Sequence, residues 1–154
     1  EQYIYGSAEV VGLMCLRVFS ENDTTKHEAL KPFAMKLGAA FQKVNFLRDI
    51  QSDFALLARS YFPGINPDAI AEDEKKKIEL EIEVDFDEAL VGIKKLPASS
   101  RFGVYVAYVY YKSLFNKIKR IPSGKLLSQR IRVPNHEKLL LLMSCYVKNK
   151  CKLI

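Results

Sequence analysis

The sequence predicts an all-α fold whose helices are joined by short connections. Apolar residues recur at spacings of three and four along most of the chain, and prolines, glycines and short polar runs separate the resulting segments. Apolar residues make up 49 % and charged residues 27 % of the 154 residues, which is typical of one globular domain with a sizeable core. No apolar run approaches the roughly 18 residues that a membrane-spanning helix needs.

The N-terminal third is predicted to hold two helices. The segment Tyr3–Phe19 is mainly apolar and compatible with a helix, and Ser20–Thr25 is predicted to be a polar loop. Thr25 and Glu28 form a capping-box pattern. The second helix is therefore predicted to begin at Thr25 and to run to about Leu57.

Prolines set several of the other boundaries. Pro32 lies beyond the first turn of the second helix, so that helix is expected to start late or to kink. Tyr61–Pro67 carries two prolines and a glycine and is predicted to be a break, after which Asp68 caps a new helix. Pro97 ends that helix, and Pro122–Gly124 is predicted to be a turn.

Two more helices are predicted in the C-terminal part. Ser99 or Ser100 caps a tyrosine-rich helix over Arg101–Lys119. The segment Arg130–Pro134 is predicted to be extended, because the residue before a proline avoids the helical region. Asn135 then caps a final helix that leads into a basic tail.

The segment Glu79–Asp87 fits either a strand or a helix. It alternates strictly between acidic and apolar residues, which is typical of a strand. Lys75 and Glu79 form an i,i+4 pair, and the length and glutamate-rich composition favour a helix. The neighbouring run Lys75–Lys77 is interpreted as a solvated face. Apolar residues also recur at helical spacing, at Ile78, Ile82, Phe86, Ala89, Leu90 and Ile93.

The cysteines and histidines argue against several classes of site. Cys15, Cys145 and Cys151 are an odd, scattered set, so they are predicted to be reduced thiols in a cytoplasmic protein. His27 and His136 have no nearby Cys or His partner in sequence. Zinc catalysis and a histidine-based catalytic triad are therefore poorly supported.

Charge is polarised along the chain. Residues 112–154 hold 11 Lys and Arg residues and one acidic residue, Glu137, whereas acidic residues outnumber basic ones before them. A basic end suggests an anionic partner such as a phosphorylated ligand or a membrane surface. The alternative is a solvated basic face, and no known nucleic-acid-binding motif accompanies the charge.

The N-terminus, Glu1-Gln2-Tyr3, has no basic region of the kind that opens a signal peptide. It also lacks a starting Met and enters apolar sequence without a helix-start signal. We therefore expect the chain to be a piece cut from a longer one.

Four polar residues of the second helix are spaced three, four and four apart: Gln42, Asn45, Asp49 and Asp53. At about 100° per residue they fall on one face of the helix, and we call them the polar stripe. Apolar residues occupy the other faces, and buried carboxylates four apart repel each other. Either the stripe faces water, or its carboxylates share a hard divalent cation such as Mg²⁺.

The polar stripe forms part of a recognisable pattern. Gln-x-x-Asn-x-x-Arg-Asp-x-x-x-Asp, with Arg48 beside Asp49, resembles the second aspartate-rich motif of the phytoene and squalene synthase family. Tyr3–Met14 resembles the family's Tyr-x-Tyr-x-x-Ala-x-x-Val-Gly helix, and Arg59–Pro63 resembles its Arg-x-Tyr-x-Pro segment. Arg130–Val133 resembles a late arginine segment more weakly.

The resemblance implies a helical bundle of the isoprenoid synthase type that is incomplete on its N-terminal side. Residues 1–154 would form the C-terminal portion of that single domain. The family's first aspartate-rich motif precedes the Tyr-x-Tyr helix, and this sequence has no residues there. The chain as given is therefore expected to be inactive, and its exposed cavity wall is expected to favour self-association.

The resemblance also implies roles for individual residues. Asp49, Asp53 and Asn45 would bind Mg²⁺, with Mn²⁺ as an alternative. Asp49, Asp53 and Tyr3 would act in catalysis, with Tyr3 lining the prenyl cavity and facing carbocations. The substrate and its diphosphate would contact Gln42, Asn45, Arg48, Arg130 and Tyr110.

The implied reaction is a head-to-head condensation of two allylic diphosphates. The favoured form converts two geranylgeranyl diphosphates to phytoene through a cyclopropyl diphosphate. One alternative is a squalene or dehydrosqualene synthase that uses farnesyl diphosphate, and only the squalene branch would need NADPH. Another is a non-catalytic helical domain whose basic end binds a partner or an anionic membrane surface, as a protein peripheral to the membrane.

Overall fold

The computed structural model of the protein describes residues 4–21, 23–57, 71–126, 130–151 and 153, with the side chains of residues 51–57 outside this description. These ranges contain six α-helices and no strand, so the predicted all-α class is confirmed. A π-helical turn, Tyr5–Glu9, runs directly into the first helix. The helices are α1 (Val10–Phe19), α2 (Thr24–Leu57), α3 (Glu72–Lys95), α4 (Ala98–Lys119), α5 (Ser123–Leu126) and α6 (Asn135–Lys150).

The central element is α2, whose 34 residues span about 50 Å. Helices α1, α3, α4 and α5 pack against it, whereas α6 packs on α4. Val44, Leu47 and Ile50 of α2 enter the main core, which they share with α3 and α4. A smaller apolar cluster of Leu16, Leu30 and Leu96 lies where α1, the start of α2 and the end of α3 meet.

The ambiguous segment Glu79–Asp87 lies inside α3, so the prediction of a helix is confirmed. Ile82 and Phe86 are fully buried, whereas Leu80 and Val84 are more than half exposed. The alternation was therefore misleading, because burial follows the helical period and not the strand period. Charge also favours the helix, with acidic residues in its first turn and lysines in its last.

Several predicted helix boundaries were wrong. The cap of α2 is Asp23 and not Thr25, since the Asp23 carboxylate accepts a hydrogen bond from the Lys26 backbone N–H at 2.9 Å. The helix neither starts late nor breaks at Pro32, which lies inside it on an exposed side. Residues Pro122–Gly124 are not a simple turn, because α5 begins at Ser123.

The two later caps are also not the predicted side chains. Helix α4 begins at Ala98 after Pro97, so neither Ser99 nor Ser100 is its cap. Helix α6 begins at Asn135 after Pro134. In both cases the extended conformation of the proline precedes the first turn, and no side chain caps it. The predicted cap Asp68 lies outside the described residues.

The run Lys75–Lys77 is not a uniformly solvated face. Lys75 is 1 % exposed, and its ammonium lies 2.5 Å from the Glu79 carboxylate. The same ammonium donates to the backbone carbonyl of Lys119 at 3.3 Å. Lys75 thus joins the start of α3 to the end of α4, where the negative end of the helix dipole favours a cation.

Two glycines allow the first helical segment, which comprises the π-helical turn and α1, to cross α2 closely. A Cβ atom on Gly38 would lie 2.5 Å from the backbone oxygen of Ala8, and one on Gly12 would lie 2.7 Å from that of Ala34. Backbone atoms cannot move aside as a flexible side chain can. Gly38 is one helical turn before Gln42, so this crossing fixes the π-helical turn beside the start of the polar stripe.

Replacing Gly38 with alanine should therefore destabilise the protein by about 1–3 kcal/mol, because the added methyl group has no space. Gly103 of α4 is the matched control, since nothing lies within 4 Å of the position that a Cβ atom would take there. At Gly103, alanine should stabilise the protein by about 0.5–1 kcal/mol through its higher helix propensity. Urea denaturation measures both changes, and a Gly38→Ala protein as stable as the parent would refute the close crossing.

Candidate active site

The polar stripe lies on a side of α2 that is not packed into the main core. Gln42, Asn45 and Asp49 are half-buried, whereas Val44 and Leu47 between them are fully buried. The α2 backbone continues helically past Asp53, but the Asp53 side chain lies outside the described residues. Three of the four stripe residues therefore share a partly accessible helix face, as their spacing predicts.

Asp49 forms ion pairs with two arginines. Its Oδ1 lies 3.1 Å from Nε of Arg48 and 2.9 Å from Nε of Arg130. Its Oδ2 lies 2.5 Å from Nη2 and 3.1 Å from Nε of Arg48. A carboxylate that is only 18 % exposed is thereby neutralised by groups from α2 and from the segment before α6.

Aromatic side chains of α4 approach α2 next to the polar stripe. Arg48 of the same helix is held by Asp49, whose hydrogen bonds and negative charge raise the pKa of the guanidinium. Tyr111 stacks on Phe41 of α2 with ring centroids 3.9 Å apart, and Tyr110 meets Tyr111 edge to face at 5.6 Å. This aromatic wall brings α4 against the stripe.

Asn45 carries a buried acceptor with no hydrogen-bond partner among the described residues. Its Oδ1 is inaccessible to solvent and unpaired there. A buried polar atom of this kind costs about 1–3 kcal/mol when it is left unsatisfied. Unsatisfied groups in a folded protein often belong to functional sites, where a ligand or ion supplies the missing contact.

An apolar cavity of about 580 Å³ lies beside the stripe, between the first helical segment, α2, α3 and α4. Along α2 it extends from Leu30 to Gln42, which is about 18 Å of helix. Gln42 is thus the point where the cavity meets the polar stripe. Other lining side chains include Cys15, Phe33, Leu37, Phe41, Ile93 and Val104.

A second set of charges fixes the orientation of α2. Asp85 of α3 is 4 % exposed and accepts hydrogen bonds from Lys36 at 2.9 Å and Lys43 at 2.8 Å. Both lysines belong to α2, two turns apart, so the carboxylate clamps the two helices together. Sequence analysis missed this clamp, because Asp85 was hidden in an acidic run that predicted only a charged helix face.

The other predicted site residues have different outcomes. Arg130 reaches the site through Asp49, whereas Tyr110 packs edge to face on Tyr111 and is not among the described residues that line the apolar cavity. Tyr3 and the Arg59–Pro63 segment lie outside the described residues.

The described side chains supply oxygen ligands for only half of a metal site. No group of three or more His, Cys, Asp or Glu side chains suited to a metal occurs among them. Asp49 and Asn45 offer a carboxylate and an amide oxygen, which are hard ligands of the kind that Mg²⁺ accepts. Mg²⁺ usually takes only one or two carboxylates and completes its shell with water and phosphate oxygens. The residues present therefore fit a Mg²⁺ ion that an anionic ligand helps to hold.

Comparisons with known proteins identify the family of the chain. The model of the squalene/phytoene synthase family matches residues 1–137. Phytoene synthase 1, chloroplastic, from Solanum lycopersicum is 29 % identical over 96 % of this chain. The 15-cis-phytoene synthase of Pantoea ananas is 28 % identical over 93 % of it, and the chloroplastic phytoene synthase of Daucus carota is 31 % identical over 76 %.

The match to these relatives is partial on their side. The chain spans 39 % of the length of the Solanum protein, 49 % of the Pantoea protein and 33 % of the Daucus protein. The family match nevertheless covers the first helical segment, the polar stripe, the aromatic wall and Arg130. The chain therefore belongs to the squalene/phytoene synthase family.

Proposed function

We propose that this chain supplies one side of the active site of a head-to-head prenyl synthase of the phytoene type. The observation that carries the proposal is the meeting of an apolar cavity and a polar stripe at Gln42. A prenyl diphosphate has the same division, with a long apolar chain that ends in a strongly anionic group. The prenyl group of the substrate would lie along α2 towards Leu30, with the diphosphate beside Asn45 and Asp49.

In this function the stripe holds the diphosphate through Mg²⁺. Asp49 and Asn45 would bind the ion, and Asp53 would join them as the next stripe residue. The bound Mg²⁺ supplies charge neutralisation that helps the diphosphate to leave. Arg48 and Arg130 would add positive charge at the same place, and Gln42 would orient the first carbons of the substrate.

The apolar and aromatic walls have a separate task. The carbocations formed after diphosphate departure react with water, so the cavity must exclude it. Phe41 and Tyr111 stack where the cavity meets the stripe, and Tyr110 lies beside them. Such ring faces stabilise nearby positive charge through cation–π attraction. Tyr3, which precedes the first helical segment in sequence, would serve in the same way.

The phytoene branch is favoured over the squalene branch. The relatives cited above are phytoene synthases by name, which supports geranylgeranyl diphosphate as the substrate and a reaction without NADPH. A purely non-catalytic binding domain would not need a buried, unpaired Asn45 oxygen beside a half-buried carboxylate.

The activity test compares the 154-residue chain with a longer protein that contains it. These residues hold a single Asp-x-x-x-Asp pair, and diphosphate departure needs charge neutralised from both sides. The short chain should therefore yield no phytoene from geranylgeranyl diphosphate and Mg²⁺, whereas the longer protein should yield it without NADPH. Extraction and chromatography measure the hydrocarbon.

In the longer protein, Asp49→Ala should lower turnover by about 10²–10³-fold or more, because a charge that acts in the transition state is lost. Asp87→Ala is the matched control, since Asp87 is an exposed carboxylate on α3 that pairs only loosely with Lys112, at 3.7 Å. If the 154-residue chain alone yielded phytoene, the proposal that it supplies only one side of the active site would be wrong. An Asp49→Ala protein as active as its Asp87→Ala counterpart would overturn the metal assignment.

A second role, contact with an anionic membrane surface, is favoured by α6. Cys145 and Leu141 hold this helix on the core, while six large apolar side chains on its other side are 42–67 % exposed. They are Leu139, Leu140, Leu142, Met143, Tyr146 and Val147. All six lie beyond the residues that the family model matches. No described helix is long and apolar enough to span a bilayer.

We propose that this face of α6 lies in the headgroup region of an anionic bilayer. The 11 Lys and Arg residues of positions 112–154 attract acidic lipids, and the same charge would repel a second copy of α6. Apolar burial and charge attraction act together at such an interface.

The chain should sediment with vesicles that contain phosphatidylserine, and less well with pure phosphatidylcholine or at high salt. Leu140→Glu should weaken this binding about tenfold, because it removes apolar burial and adds negative charge. Leu80→Glu, at an equally exposed leucine of α3, should leave it unchanged. Equal vesicle binding by the two variants would refute the role of α6. Self-association of the protein that Leu140→Glu abolishes and Leu80→Glu does not would also refute it, because the face would then bind a second copy.

A further inference from the structure

Two guanidinium groups already compensate the charge of the Asp49 carboxylate. Arg48 donates hydrogen bonds to both carboxylate oxygens, and Arg130 forms an ion pair in which its Nε lies 2.9 Å from Oδ1. A cation that binds Asp49 must therefore compete with both guanidinium charges for the carboxylate oxygens.

The two arginines differ in how readily they can leave. Arg48 is adjacent to Asp49 on the same helix, is 22 % exposed, and contacts both carboxylate oxygens. Arg130 is 53 % exposed and makes one contact. An exposed, single ion pair is worth much less than a partly buried, bidentate one. The ion pair between Arg130 and Asp49 is thus the one that a ligand can break.

The residues that follow Arg130 anchor its backbone in the core, whereas its side chain is about half exposed. Ile131 and Val133, which follow it, are 7 % and 3 % exposed and belong to the main core. The guanidinium can therefore leave Asp49 through changes in its own side-chain torsions, without movement of the segment. A diphosphate beside Asp49 offers more negative charge, and guanidinium groups bind phosphate oxygens in a bidentate manner.

We propose that Arg130 is a substrate-released latch on Asp49: it occupies the carboxylate in the free protein and transfers to the diphosphate, which opens Asp49 to Mg²⁺. This inference rests on the proposed function and adds an order of binding to it. Metal alone binds weakly, whereas metal and diphosphate bind together. The latch keeps a lone cation from occupying the stripe before the anionic substrate arrives.

The test uses Mn²⁺ as the metal probe and measures two affinities for each variant. Electron paramagnetic resonance gives the affinity for Mn²⁺ alone, and calorimetry gives the affinity for a preformed complex of Mn²⁺ with inorganic pyrophosphate. Arg130→Gln should raise the first affinity about three- to tenfold, because the competing cation is gone. It should lower the second by a similar factor, because the pyrophosphate loses its partner.

The decisive result is that Arg130→Gln changes the two affinities in opposite directions, because a change that merely loosened the site would weaken both. Arg132→Gln is the control: it removes an exposed arginine two residues away and should leave both affinities unchanged. The latch is overturned if Arg130→Gln leaves Mn²⁺ binding unchanged or weakens it. If instead Asp49→Asn has no effect on the Mn²⁺–pyrophosphate complex, the proposed metal site itself is wrong, whatever Arg130 does.

Discussion

Asp49 is a half-buried carboxylate on the central helix, so its negative charge has to be balanced by nearby cationic groups. Burial of an unpaired carboxylate costs several kcal/mol, and the fold meets that cost with Arg48 beside it and Arg130 from a distant segment. Helix α4 approaches the same region through Tyr111, which stacks on Phe41 of α2. Because arginines balance the charge of Asp49 in the absence of a ligand, they can exchange this carboxylate for an anionic ligand when one binds.

The position of the polar stripe depends on contacts elsewhere on α2. Asp85 clamps Lys36 and Lys43 on one side of the helix, and the close crossing at Gly38 fixes the first helical segment on another. Rotation of α2 by even one residue would turn about 100° of its surface and move the stripe into the core. The apolar cavity lies between the elements that these contacts attach to α2, and Leu37 and Gly92 are among the residues that line it.

Sequence reasoning predicted the elements and the stripe well because both depend on local periodicity. The three- and four-residue spacing placed Gln42, Asn45 and Asp49 on one face, and the same period resolved Glu79–Asp87 as a helix. The failures involve long-range partners. The burial of Lys75 depends on a carbonyl 44 residues away, and the helix cap at Pro97 was misassigned because backbone conformation replaced a side-chain hydrogen bond there. The pairing of Arg130 with Asp49 joins segments that no sequence spacing relates.

The central claim is that one ligand lies across both the polar stripe and the apolar cavity, and the thiols test it directly. Cys15 lines the cavity, Cys151 is exposed elsewhere, and burial raises the pKa of the Cys145 thiol, which makes it slow to react. Site-resolved mass spectrometry measures how fast a maleimide modifies each one. Geranylgeranyl diphosphate with Mg²⁺ should slow modification of Cys15 several-fold and leave Cys151 unchanged, whereas pyrophosphate with Mg²⁺ should protect neither. Unchanged modification of Cys15 at saturating geranylgeranyl diphosphate, or equal protection of Cys15 by pyrophosphate alone, would contradict the account.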